Sequence, residues 1–323
     1  MQLTQLSLTP LFLATLGALL PACGVSPQVG SRAESVVYGT DDRLEVYQVP
    51  AGPMRTVAEQ AVAIQVDDTA LDETDPANVV VTYPGTLGEA KNPCAGQPFA
   101  DQIEPGYCSG TLIDDRHILT AGHCMAAASD CSRSTIGLLG LRYASAGVLA
   151  PLTSDDVYRC SRVLAYTDDG SHDYSVVELD RVVTGHTPAA VVGAPPALGR
   201  ALTLNGHPDG LPMKVAAGGV VTWLAPDGSF GTGTVDAFAG NSGSGIFNDA
   251  GQLVAILDTG PRAPARAVGV GASAPSITRS RSGPRRVARR PRRAPSRAEA
   301  RRRSRARAWP CSSRARRRGR ACE

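Results

Sequence analysis

Three short segments hold residues whose types and spacing suit nucleophilic chemistry. The run from Cys108 to Cys124 reads as a strand, a turn and a second strand that deliver His123 beside a cysteine. The run Gly240-Asn241-Ser242-Gly243-Ser244-Gly245 sets a serine hydroxyl in a glycine-rich turn, where the backbone is free to aim two amides at one point. Between them, His172-Asp173-Tyr174-Ser175-Val176-Val177-Glu178-Leu179 puts an acid at the head of an apolar strand. A serine hydroxyl is a weak nucleophile at neutral pH, and imidazole is the side chain whose pKa suits it to take the proton. A buried carboxylate can fix the tautomer of that imidazole and stabilise its charged form. Fixed amides can stabilise the oxygen on which negative charge develops, each worth about 3–4 kcal/mol of barrier. Taken singly, each feature is structural more often than catalytic. Together they stand in the order His, Asp, Ser, one of the chain orders known for a catalytic triad.

The elements that must position these residues read as short β-type runs separated by Gly, Pro and Asp: Gln60–Val66, Val79–Tyr83, Gly110–Ile113, His117–Leu119, Tyr174–Leu179, Ala201–Asn205, Val220–Leu224, Gly245–Phe247 and Leu253–Leu257. Long helical periodicity is missing, which favours an all-β sandwich or barrel over a doubly wound α/β fold. The proline-rich stretch Val191–Gly199 reads as a connection and Asp67–Asn78 as a long polar loop.

The 323 residues carry 33 Lys+Arg against 30 Asp+Glu, a net +3 that hides two regimes. From Pro261 onward there are 21 Arg, no Lys and two acids, so this tail carries +19 and the preceding 260 residues −16. A body of that length, with 42% hydrophobic residues over the chain, can bury one or two cores, which excludes disorder throughout. Past the N-terminus no apolar run nears the roughly 18 residues of a spanning helix, so a polytopic membrane protein is excluded. Leu11–Leu20 followed by Pro21-Ala22-Cys23-Gly24 has the layout of an export signal, residues 1–22. It resembles a bacterial lipoprotein signal, which implies lipidation of Cys23 and a membrane anchor. Export implies an oxidising compartment, in which the body's cysteines are read as disulfide candidates before metal ligands.

The motifs Thr120-Ala121-Gly122-His123-Cys124 and Gly240-Asn241-Ser242-Gly243-Ser244 resemble those of trypsin-like (chymotrypsin-fold) serine proteases, in particular the bacterial glutamyl-endopeptidase-like branch. The resemblance runs from about Val36 to Gly260. It implies two six-stranded antiparallel β-barrels and a cofactor-free acyl-enzyme mechanism on protein or peptide substrates. The triad roles are those of the general template for this family. By resemblance Ser242 is the nucleophile, His123 the base and then acid, and Asp173 the group that orients it. Gly240 and Ser242 would form the oxyanion hole. Residues 36–260 are the protease domain, 23–35 a propeptide or tether, and Ser35-Val36 the expected processing bond. Asn241 stands where trypsin has an Asp that pairs with the freed N-terminus, so that route to activation is closed.

Asp236, six residues before Ser242, has the offset of trypsin's pocket carboxylate and is expected to bind a basic substrate residue. The strand ending at Asp258 lacks the His of the glutamate-specific enzymes. His207 and His172 are read as packed or hydrogen-bonded loop residues. Cys108 and Cys124 match the family's histidine-loop disulfide, Cys131 and Cys160 are a second candidate pair, and Cys94 is left over. No zinc site is expected, and the Asp67-Asp68 and Asp155-Asp156 loops are read as solvated acid rather than a calcium site. Residues 261–323 admit three readings: a polyanion-binding arm, a disordered linker, or a stretch foreign to the family's C-terminus, since Arg without Lys suits an out-of-frame reading of GC-rich coding sequence. The third is favoured, and it implies that the second barrel lacks its last strand and closing helix. The expected protein is a monomeric exported endopeptidase. The rival is a non-catalytic binding module of the same fold with a basic tail.

Overall fold

The computed structural model describes residues 37–38, 41–82, 85–93, 96–126, 131, 134–169, 172–259 and 265–269. The expectations for the signal segment, Cys23, the Ser35-Val36 bond, Cys94 and most of the arginine-rich tail lie outside these residues. Strands β1 (Leu44–Glu45), β2 (Val62–Asp67), β3 (Leu71–Asp72), β4 (Val80–Val81), β5 (Gly106–Leu112) and β6 (His117–Thr120) come first, with helices α1 (Pro53–Ala61) and α2 (Leu87–Lys91) among them. Then follow β7 (Ser134–Leu139), β8 (Tyr143–Ser145), β9 (Val148–Leu149), β10 (Val157–Tyr158), β11 (Cys160–Asp168) and β12 (Asp173–Leu179). The last third holds β13 (Ala201–Gly206), β14 (Lys214–Leu224), β15 (Phe230–Gly233), β16 (Gly245–Phe247), β17 (Leu253–Thr259) and β18 (Ala265–Gly269). No helix among the described residues is long and apolar enough to cross a membrane.

Two antiparallel sheets carry the fold, ordered β10-β7-β2-β5-β6-β12-β11 and β1-β14-β13-β16-β17-β18-β15. In the first, the edge strands β10 and β11 are separated only by Arg159, so they are two arms of one bent strand and the sheet curls onto itself. In the second, β14 also pairs with β15, which closes six strands into a ring with β1 appended. The expected pair of six-stranded barrels is therefore present, with one correction. The second barrel is not left open at its C-terminal end, because β18 pairs Ala267 with Phe230 of β15 and Val268 with Ile256 of β17. Ladder hydrogen bonds come from the backbone, so a strand needs no strong apolar alternation when two open edges await it.

The alternation of the strands builds the cores. Ile64, Leu112, Ile118, Ile136, Leu138, Leu139 and Val177 are fully buried in the first barrel, and Leu204, Phe230, Ile246, Phe247 and Ile256 in the second. Each such side chain contributes about 1.5–3 kcal/mol of transfer free energy. One continuous apolar cluster runs from the first barrel to Met213, Val215, Phe247 and Ile256 of the second. That seam brings β5, β6 and β12 against the turn that precedes β16. The expected connection at Val191–Gly199 does run between the barrels, and Val191 bridges to Leu253.

Candidate active site

His123 is placed by local structure on both sides. Strands β5 and β6 form a hairpin with Gly110 opposite Thr120 and Leu112 opposite Ile118. In its turn, Asp114 accepts the Arg116 amide at 2.8 Å. Past β6 the chain makes a single 3-10 turn, Gly122–Cys124, with His123 at its centre. A disulfide from Cys124 back to Cys108 of β5 ties that turn down, and a second joins Cys131 to Cys160. Because Ser175 of β12 pairs with Thr120 of β6, Asp173 at the head of β12 comes level with the turn.

The buried Asp173 carboxylate grips His123 with both oxygens: Oδ2 lies 2.5 Å from Nδ1, and Oδ1 accepts the His123 backbone amide at 2.9 Å. An ionised carboxylate only accepts, so Nδ1 carries the hydrogen and Nε2 keeps a free lone pair for a proton. The hydrogen bond to Asp173 raises the His123 pKa above its ordinary 6.5, against the opposing effect of burial, and the charges of Asp173, Asp168 and Asp258 add to the rise. The ring is 42% exposed, which leaves it open to a substrate.

Every peptide unit around Ser242 is fixed by at least one of its two polar groups. Ala239 O accepts the Asp209 amide, and Asn241 O accepts the Ser244 amide at 2.8 Å. In a planar trans peptide the N–H points opposite the carbonyl, so these bonds set the directions of the Gly240 and Ser242 N–H groups. Neither of those two amides donates to a group among the described residues, which leaves them free for an oxyanion. The intervening peptide is held by Ser109 Oγ donating to Gly240 O at 2.8 Å and by the Asn241 amide donating to Phe238 O at 3.1 Å. Ser242 O accepts the Ser109 amide at 2.8 Å, and the Gly243 amide donates to Leu257 O at 2.8 Å.

Two glycines permit this path. Gly240 has φ +85°, and a Cβ there would sit 2.5 Å from His207 O. Gly243 has φ +80°, and a Cβ there would press into Ser109 O and Thr120 Oγ1. The half-buried Ser242 belongs to the same neighbourhood as His123. Cys124 Sγ lies 3.8 Å from Ser242 O, and a ligand atom of His123 lies within 4.8 Å of that sulfur. Cys108, His123 and Cys124 cluster as metal ligands do, but their sulfurs are joined to each other and offer no thiolate.

Asp236 does not meet the expectation of a substrate-binding acid. It is 1% exposed, and its oxygens accept the backbone amides of Tyr38 at 2.8 Å and Asp42 at 3.4 Å. A carboxylate engaged by the N-terminal segment on both oxygens is turned away from an incoming side chain. Burial raises its pKa, and the two amides oppose that rise. The same segment buries Arg43, which pairs with Asp41 at 2.6 Å and stacks 3.7 Å from the centre of the Phe238 ring. It also buries Glu45, which lies 3.2 Å from the buried Lys214. Desolvation lowers the Lys214 pKa to about 8 despite that partner.

None of these three roles is legible in sequence, since each depends on a partner far along the chain. His207 is fully buried beside the site, with Nδ1 2.9 Å from Leu211 O. His172 lies apart, 3.6 Å from Asp227. Of the acidic loops, Asp67 accepts from Thr69 and Asp156 from Thr153 and His186, so these carboxylates serve as turn caps.

Residues 108–256 match the family model of the trypsin-like peptidase domain. Over those residues the chain is similar to a trypsin-like peptidase domain. The match begins at Cys108 and takes in His123, Asp173, Gly240 and Ser242. Among solved structures, a Glu endopeptidase in complex with MPD is 19% identical, covering 74% of this chain and 94% of its own, with a TM-score of 0.46. The Rv3671c protease in an inactive form is 12% identical, covering 68% and 86%, with a TM-score of 0.41. No curated protein matches the sequence. The disulfide of the histidine turn is the one expected, and so is the pair Cys131–Cys160.

Proposed function

We propose that the chain is an exported serine endopeptidase working through Ser242, His123 and Asp173. The observation that carries this reading is the two-oxygen grip of Asp173 on His123 beside a serine turn with two fixed, unused amides. Ser242 Oγ attacks the scissile carbonyl carbon as its proton passes to His123 Nε2. The carbonyl oxygen becomes an oxyanion that takes the Gly240 and Ser242 amides. Collapse breaks the C–N bond, and His123 returns the proton to the leaving amine. Water then attacks the acyl-enzyme with His123 again as base, releasing the acid and restoring Ser242. No step needs a cofactor.

Specificity for a basic residue no longer has Asp236 behind it. Asp258, 4% exposed and, like Asp168, close enough for its charge to raise the His123 pKa, is an acid that disfavours an acidic substrate residue. Two disulfides suit an oxidising compartment. Either anchoring through Cys23 with residues 24–35 as a tether, or release by cleavage at Ser35-Val36, and a monomeric state complete the proposal; polyanion binding by residues 261–323 belongs to the rival binding module.

Hydrolysis of fluorogenic peptides bearing Arg, Lys, Leu or Glu before the scissile bond tests it, with Ser242→Ala as control. Turnover abolished by that change is expected. Equal turnover by Ser242→Ala, or none by a folded wild-type chain, would overturn the reading and favour a binding module.

A further inference from the structure

Ser109 is fully buried, yet it lies in the first barrel and is no member of the proposed triad. All of its polar groups are engaged. Its amide donates to Ser242 O at 2.8 Å. Its hydroxyl donates to Gly240 O at 2.8 Å and accepts the His207 amide at 2.9 Å. Its carbonyl accepts Thr120 Oγ1 at 2.6 Å. One residue of β5 thus holds the carbonyls on both sides of the Asn241-Ser242 peptide, and it ties both to the loop after β13.

We infer that Ser109 is a positioning residue for the oxyanion hole, its hydroxyl locking the Gly240-Asn241 peptide so that the Gly240 and Ser242 amides converge. The reason lies in the backbone on either side. Gly240, at φ +85°, carries no side chain to restrain its torsions and lies between the two amides. With its carbonyl released, the peptide keeps only the 3.1 Å bond from the Asn241 amide to Phe238 O, and rotation about the Gly240 ψ angle against that single bond swings the Gly240 and Ser242 N–H groups relative to each other. The hydroxyl removes that freedom from 131 residues away along the chain. The anchor is itself held, because Thr120 beside the histidine turn fixes the Ser109 carbonyl. The two halves of the site are therefore set from a single point on β5.

This inference rests on the peptidase reading for its kinetic consequence, but the restraint can be measured without turnover. In the full chain, Ser109→Ala removes the hydroxyl and keeps the amide bond to Ser242 O. Loss of one oxyanion donor costs about 10²–10³ in rate by mutational precedent, so loosening both is expected to lower kcat by about 10- to 100-fold. Substrate binding and the His123–Asp173 pair are untouched, so KM and the acidic limb of the pH profile stay in place. Rates are normalised to folded protein, so that mere destabilisation does not register.

Hydrogen exchange of the peptide spanning 238–244 is expected to quicken about tenfold, with β5 and β6 elsewhere unchanged. Ser109→Cys, which fills the site with a weak donor, repeats the test if Ser109→Ala does not fold. Unchanged exchange at 238–244 would overturn the inference, as would a kcat within twofold of wild type. An inert wild-type chain with quickened exchange in the variant would sink the peptidase reading and leave the restraint standing.

Discussion

His207 makes the domain acid-sensitive, and the size of the effect follows from its surroundings. Its Nδ1 faces Leu211 O, while Nε2 is buried with no partner among the described residues. Protonation at Nε2 places a charge in apolar surroundings close to that of Lys214, and burial lowers the pKa from 6.5 to about 3. Above pH 6.5 both folded and unfolded chains hold His207 neutral, and it contributes no pH dependence. Below that the unfolded chain binds a proton that the folded chain refuses, so stability falls as pH falls, until about pH 3, where the folded form titrates too. The slope is about 1.4 kcal/mol per unit, giving about 3 kcal/mol between pH 6.5 and about pH 4.

That loss is a large share of the 5–15 kcal/mol typical of a folded domain. The assay is urea unfolding of wild type and His207→Asn from pH 7.5 to about pH 4. Asparagine keeps a donor for Leu211 O and does not titrate. The gap between the two curves should close, and can reverse, by about 3 kcal/mol as pH falls. A gap that stays constant within about 0.5 kcal/mol would refute the reasoning. The titration also reaches the site, because the His207 carbonyl lies 2.5 Å from where a Gly240 Cβ would be and its amide bonds Ser109.

Three further outcomes follow from the same geometry. Because Asp173 raises the His123 pKa, the acidic limb of kcat/KM should lie above the ordinary 6.5, and Asp173→Asn should move it down while lowering kcat by about 10⁴; a limb that does not move contradicts the pairing. Gly243→Ala combines about 1–2 kcal/mol of left-handed strain with a Cβ against Ser109 O and Thr120 Oγ1; lower thermal stability and loss of labelling at Ser242 are expected, and a wild-type melting temperature would show that the turn yields. Lys214→Met strands the buried Glu45 carboxylate and should cost about 3–5 kcal/mol in denaturant unfolding, most of it recovered in Glu45→Leu/Lys214→Met; no recovery would mean that packing, not charge, sets the cost.

The parts of the fold legible in sequence are those whose apolar alternation is strong and bounded by turn residues. The run Gly245–Phe247 matches β16, and the runs at His117, Tyr174, Ala201 and Leu253 fall within β6, β12, β13 and β17. Strand β11 escapes because its outward positions are exposed and varied, and β15, Phe-Gly-Thr-Gly, because it carries a single large apolar side chain. Helix α1 has nine residues with Pro53 at its start, too short for a periodicity to stand out.

The candidate triad is legible because each member sits in a local motif that itself shapes the backbone. The restraints on it are not, because Ser109 meets Gly240 across 131 residues and Asp236 meets Tyr38 across 198. A linear offset from Ser242 carries no information about which way Asp236 turns, and that is why the pocket assignment failed. The closing strand β18 was missed for a related reason: its place is set by the unpaired edges of β15 and β17, not by its own residues.

Labelling by a fluorophosphonate tests the central claim most directly, since the probe reacts only with a serine activated by its base. The full chain and its Ser242→Ala variant are treated at neutral pH, and adducts are located by peptide mass spectrometry. The account predicts a single adduct on Ser242, absent from the variant and suppressed in Asp173→Asn. A folded, disulfide-bonded chain that takes no adduct, or one that labels equally without Ser242, would contradict it.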